Sequence, residues 1–196
     1  VKFMKAFEAK EVSIAPDVTV WAVDSTPADC VRFGILALKQ TYDLVLSGVN
    51  RGMNMGTDIL YSGTVGAASE AVNLSHKTLS VSTDYPGYAD VTAHLDEVWD
   101  FVQKHQLLAI HDAYNINIPH DGKAIRIVHH GGHYYGDAIE PLGDGRYQPV
   151  GLPMEQLPDD LSLDIVAAKN GYITVMPLTI DRTCLAVYEQ LRHLNP

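Results

Sequence analysis

The chain has 196 residues, enough for one large domain or a domain with an appendage, and 46% of them are hydrophobic. Twenty-four acidic residues against 14 basic ones give a formal charge of −10 with no basic cluster, which excludes a general surface for duplex nucleic acid and argues against anionic membranes. No run approaches the roughly 18 apolar residues of a membrane span, and no charged start precedes an apolar run, so the reading is a soluble, non-exported, cytoplasmic protein.

In chain order, Val18 to Val23 is rich in β-branched and aromatic residues and predicts a strand. Thr26, Pro27 and Asp29 then form a cap, a first helical residue and an acidic third position, predicting a helix from Pro27 to about Lys39. Strand Asp43 to Ser47, helix Thr64 to about Leu74 and strand Thr78 to Ser82 complete a β-α-β-α-β series, the pattern of a parallel sheet covered by helices. A helix over Tyr88 to His105 follows, with Val91, Leu95, Val98 and Val102 on one face. Tyr114 to Ile118 and Ala124 to Val128 read as further strands. Residues 129–163 carry six glycines and four prolines and read as an extended arm or hairpin for oligomerisation. A strand over Tyr172 to Met176 and a helix over Asp181 to Leu194, with Leu185, Tyr188 and Leu191 on its apolar side, close the chain. The organisation is thus a Rossmann-like core over 1–128, an arm over 129–163 and a C-terminal strand and helix over 164–196. Cys30 and Cys184 sit in apolar helical patterns and read as two buried thiols.

The most informative stretch is Ser47-Gly48-Val49-Asn50-Arg51-Gly52-Met53-Asn54-Met55-Gly56, closed by Tyr61-Ser62-Gly63-Thr64-Val65-Gly66. It leaves the carboxyl end of a predicted strand, where open α/β sheets place ligands. Glycines 48, 52 and 56 allow positive φ, Asn50 and Asn54 offer amides, and the helix after Thr64 aims unpaired N–H groups into the same space, a geometry that receives phosphate. It is neither a Walker A loop nor the dinucleotide fingerprint. The Asn50 amide oxygen suits Mg²⁺, Mn²⁺ or Ca²⁺, and equally suits capping of its own turn.

These residues, with Asp58, closely resemble the signature of the SurE (survival protein E) family of phosphatases acting on nucleoside 5′- and 3′-monophosphates. Asp24-Ser25-Thr26-Pro27-Ala28-Asp29-Cys30, Asn115-Ile116-Asn117-Ile118-Pro119 and Gly171-Tyr172-Ile173-Thr174-Val175-Met176-Pro177-Leu178 resemble its flanking segments. The resemblance implies a Rossmann-like three-layer α/β fold with a protruding C-terminal part used in homodimers or homotetramers. It implies a divalent metal (Mg²⁺, Mn²⁺ or Ca²⁺) bound by Asn50, and a substrate phosphate held by Ser62, Gly63 and Thr64 with Asn54 nearby. The family's Asp pair, placed after its first strand, has no counterpart: Asp159-Asp160 fits no strand end. The chain, which starts at Val1, is therefore expected to be cut from something longer, to have its catalytic Asp pair upstream and to be inactive alone. A non-catalytic phosphate- or nucleotide-binding module is the alternative, and an assembly segment a third reading.

Other polar groups read more plainly. His129, His130 and His133 lack the partners of a metal set and read as a solvated loop; Asp58 reads as a loop cap or a support for Asn50 or Arg51. Asp96, Glu97 and Asp100 read as a solvated helix face. Trp21 and Trp99 read as packing residues, leaving Tyr85, Tyr134 or Tyr135 as stacking candidates for a nucleobase.

Overall fold

The computed structural model describes residues 1, 4–84, 88–153 and 156–195. Its centre is a five-stranded sheet built from β3 (Val45–Arg51), β4 (Thr78–Thr83), β5 (Ala113–Ile118), β9 (Ile173–Pro177) and β6 (Ile125–Ile127), in that spatial order. β3, β4 and β5 are parallel; β9 runs antiparallel to β5 and parallel to β6. The helices are α1 (Pro27–Arg32), α2 (Gly63–Asn73), α3 (Ala89–Lys104), α4 (Leu107–Ile110), α5 (Asp164–Lys169) and α6 (Leu185–Leu191). No helix of the described residues is long and apolar enough to cross a membrane.

Two hairpins stand outside this sheet: β1 (Ala9–Ala15) with β2 (Val18–Val23), and β7 (Tyr135–Gly143) with β8 (Arg146–Pro153). The first corrects an expectation, because the Val18–Val23 strand pairs antiparallel with β1 and is not a member of the parallel sheet. Ala9–Ala15 meets β2 across a two-residue turn, so its partner is local. The second hairpin bears out an arm-like extension.

Helix limits follow local chemistry. Thr26 caps α1 by accepting from Asp29 N at 3.2 Å, and the buried Asp29 carboxylate accepts from the Ser25 and Thr26 hydroxyls at 2.6 and 2.8 Å. Past Arg32 the backbone widens into a π turn over Phe33–Ala37 and stops at Lys39, whose φ is +53°. α6 begins at Leu185, four residues later than expected, since the Asp181 carboxylate accepts from Thr183 N at 2.8 Å and turns the chain.

The alternation in β4, β5 and β9 gives the sheet two unlike faces. Leu79, Val81, Tyr114, Ile116, Ile118, Ile173 and Val175 form the apolar face, packed with Val91, Val98 and Val102 of α3. Leu95, expected on that stripe, is 41% exposed. The other face carries Ser80, Ser82, Asn115, Asn117 and Thr174, all fully buried. α2 lies toward this side with Ala67, Ala68 and Ala71 buried, and Ser47 of β3 donates to the Thr64 carbonyl at 2.8 Å. Small and hydrogen-bonding side chains here let helix and loop backbone approach the strands closely. The cysteines correct a further expectation: Cys30 and Cys184 are both exposed free thiols, Cys184 at the start of α6, a helix with no buried residue.

Candidate active site

β3 delivers the glycine-asparagine loop to the carboxyl ends of the parallel strands. Its register with β4 shifts between Gly48 and Asn50, and a Cβ on Gly48 would lie 2.3 Å from the Val81 carbonyl oxygen. Only glycine permits that approach at φ +138°. Gly52 and Gly56 also take positive φ, +116° and +48°. At Gly56 a Cβ would come within 2.1 Å of the Gly132 carbonyl oxygen, so this loop and the histidine loop meet backbone to backbone.

Asn50 is half-buried, and its Nδ2 donates to the Gly52 carbonyl at 2.7 Å. That bond orients the amide and leaves Oδ1 as the atom able to accept or to ligate. It also satisfies the turn-capping reading.

Asn54 is only 6% exposed and sits in a buried amide network on the polar sheet face. Its N–H donates to Asn117 Oδ1 at 2.8 Å, and its carbonyl accepts from Asn115 Nδ2 at 2.8 Å and Asn117 Nδ2 at 2.9 Å. Its own Nδ2 donates to Ser82 Oγ at 2.6 Å, while Ser80 Oγ donates to Asn115 Oδ1 at 2.9 Å. The loop is thus held by main-chain recognition from β5, much as a sheet would hold another strand. These anchoring residues were missed as site residues; the signal was the Asn-Ile-Asn-Ile and Ser-Val-Ser alternation inside strands buried on both faces.

Ser62 is the N-cap of the 11-residue α2: its Oγ accepts from Val65 N at 3.1 Å and its carbonyl accepts from Gly66 N at 2.9 Å. The N–H groups of Gly63 and Thr64 are the first two of the helix and have no intrahelical acceptor, so they and the positive end of the helix dipole are available to an anion. A Cβ on Gly63 would meet Pro27 at 3.1 Å, which brings the N-terminus of α1 beside that of α2.

Asp58 lies in the 3₁₀ turn Gly56–Leu60, where the charges of Asp137 and His133 act on it. Burial, then repulsion from Asp137, raises its carboxyl above the ordinary range, and His133 offsets part of this. The three histidines each have a different partner: His129 Nε2 with Ser162 Oγ at 3.1 Å, His130 Nδ1 accepting from Gly132 N at 3.2 Å, and His133 Nδ1 with Thr57 Oγ1 at 3.0 Å. Among the described residues no group of three or more His, Cys, Asp or Glu could hold a metal ion. Asp160 accepts from the Ser162 hydroxyl and N–H, which lowers its pKa.

Of the aromatic candidates, Tyr134 is buried under Lys169, whose Nζ is 4.6 Å from its ring, and packs edge-on against Tyr135. Tyr135 is 39% exposed; Tyr85 lies outside the described residues. Trp21 packs edge-on against Phe33 at 5.2 Å, whereas Trp99 is 41% exposed.

The profile of the survival protein SurE family matches residues 1–137. The 5′-nucleotidase SurE of Pelotomaculum thermopropionicum is 36% identical over 182 residues, spanning 89% of this chain and 70% of that protein. The 5′-nucleotidase SurE of Acinetobacter baumannii is 36% identical over 203 residues, spanning 93% of this chain and 78% of that protein. The crystal structure of the SurE protein from Aquifex aeolicus superposes with a TM-score of 0.75 at 28% identity, covering 99% of this chain and 82% of that one. With its glycine-asparagine loop at the strand ends and these relatives along most of its length, the chain belongs to the survival protein SurE family.

Proposed function

We propose that the protein is a metal-dependent phosphatase that hydrolyses nucleoside 5′- and 3′-monophosphates to nucleoside and phosphate. The observation that carries this is the junction of loop and helix: Ser62 caps α2 and leaves the Gly63 and Thr64 N–H groups for phosphate, beside a loop whose backbone is fixed by Asn115 and Asn117. The 5′-nucleotidase relatives support the substrate class. In this reading Ser62, Gly63 and Thr64 hold the phosphate, Asn54 keeps the adjoining loop in place, and Asn50 offers one oxygen to a divalent ion.

The described residues do not by themselves fit Mg²⁺, Mn²⁺ or Ca²⁺, because one neutral amide oxygen cannot replace the six or more oxygens such ions take. The acidic ligands would have to come from elsewhere, as the Asp pair implied by the resemblance would. In the proposed reading the described residues bind and orient phosphate. The alternative reading is a phosphate- or nucleotide-binding module without catalysis.

Phosphate release from 5′-AMP with Mn²⁺, measured on the full-length gene product, separates the two. Metal-dependent release is the expected result, and none would refute the phosphatase. Asn50→Ala should weaken Mn²⁺ binding, and unchanged affinity would remove Asn50 from the site. Assembly into a homodimer or homotetramer is proposed through the β7–β8 hairpin and α6, where Ile139, Tyr147, Leu152, Leu185, Tyr188 and Leu191 are exposed. A monomer by light scattering would refute that.

A further inference from the structure

We propose that Asp164 is a positioning residue that holds the glycine-asparagine loop in its anion-receiving shape; this rests on reading that loop as the phosphate site. Asp164 opens α5, far from the loop in sequence, and is fully buried. Its Oδ2 accepts from Gly56 N at 2.8 Å, and its Oδ1 accepts from Gly131 N at 2.8 Å and from its own neighbour Ile165 N at 2.7 Å. One carboxylate therefore ties the end of the glycine-asparagine loop to the histidine loop. Around it the same two loops are joined by Thr57 N donating to the Gly132 carbonyl at 2.9 Å and by the Thr57–His133 contact.

The chemistry of these contacts calls for an acceptor-only group. All three partners are N–H donors, so an amide in place of the carboxylate would turn a donor toward one of them. Space is also fixed: a Cβ on Gly131 would lie 2.6 Å from Asp164 Oδ1. No salt bridge to Asp164 is found among the described residues, so backbone N–H groups alone compensate its burial. An apolar residue would serve packing at least as well; the carboxylate is explained by what it orders. An anion loop rich in positive-φ glycine has many conformations to lose, and fixing Gly56 in advance spares the ligand that loss.

The test is Asp164→Asn, with wild type and variant compared by amide hydrogen exchange and by calorimetric titration of inorganic phosphate and of AMP. In the wild type, the Gly56 and Gly131 amides should be protected although they lie in loops, and phosphate should slow exchange at Gly63 and Thr64. In the variant the one amide oxygen stays with the two donors Gly131 N and Ile165 N, so Gly56 should exchange about tenfold faster or more, and phosphate affinity should fall about tenfold, the scale of one lost buried hydrogen bond. Ile116 and Val175 amides should be unchanged, and binding should become more entropically opposed, as ordering on binding requires. Unchanged Gly56 exchange or unchanged phosphate affinity in a folded variant overturns the proposal. Should the variant fail to fold, unprotected Gly56 and Gly131 amides in the wild type overturn it instead. A wild-type protein that binds neither phosphate nor AMP refutes the phosphate reading, while the exchange rates still decide the tether.

Discussion

Replacing Asn117 is the most direct probe of how the sheet holds the loop. Its side chain is fully buried, accepts from Asn54 N at 2.8 Å, and donates to the Asn54 carbonyl at 2.9 Å and to Thr174 Oγ1 at 3.4 Å. In Asn117→Ala the Asn54 carbonyl keeps its bond from Asn115, but the Asn54 N–H loses its acceptor. One buried donor left unsatisfied costs about 1–3 kcal/mol, and the space vacated by the amide adds to it, so a loss of about 3 kcal/mol is expected. Asn117→Asp keeps the acceptor and nearly the same volume, yet sets a carboxylate oxygen against the Asn54 carbonyl. It should be at least as damaging at neutral pH and recover as the introduced carboxyl is protonated. Urea unfolding followed by circular dichroism reads both; with a slope of about 3 kcal/mol per molar, the alanine variant should unfold about 1 M earlier. A midpoint moved by less than about 0.2 M would refute the anchoring role.

Three further outcomes are expected. Ser62→Ala removes the acceptor for Val65 N and should cost about 1 kcal/mol, whereas Ser62→Asp keeps a capping oxygen but repels phosphate; urea unfolding and phosphate titration together would show stability retained and binding lost, and retained binding would remove Ser62 from the cradle. Asp58 holds its proton more tightly when folded than unfolded, so its contribution is fully present below the ordinary carboxylate range and is lost as pH rises through the raised value. Asp58→Asn should therefore stabilise the protein at pH 7 by an amount that shrinks on acidification, and a gain independent of pH would contradict the burial and Asp137 repulsion. Cys30 and Cys184 should both react with a disulfide reagent in the native protein, with Cys30 slower than a free thiol because partial desolvation and then Asp29 raise its thiol; native protein with no reactive thiol would refute their exposure.

What could be read from the residues depended on the range of the forces involved. The strands β3, β4, β5 and β9 and the helices α2 and α3 emerged within a few residues because β-branched runs and a 3.6-residue stripe are local signals. The partner of Val18–Val23 was misread because a strand's own sequence does not name its neighbour, and the β1 turn captured it first. Helix α5 went unrecognised within a glycine- and proline-rich context, since six residues are too few for a periodic stripe and its burial comes from Met55, Tyr134 and Leu161. At the site, the glycine-asparagine loop and the Ser62 helix entry were legible as a motif. The groups that hold the motif in place, Asn117 and Asp164, lie 63 and 108 residues from their loop partners; the polar alternation of β5 hints at the first, and nothing local marks the second.

The place of β9 bears on how the protein is made. This strand sits between β5 and β6, so the edge of β5 that ends against Met176 and Thr174 stays open until every other strand of the sheet has left the ribosome. During synthesis the half-built sheet presents the unpaired edge of β5, whose six residues are all buried in the finished fold, to any other strand nearby. Early folding by the parallel strands is thus only provisional, and it is the late arrival of Ile173–Pro177 that seals the centre of the molecule.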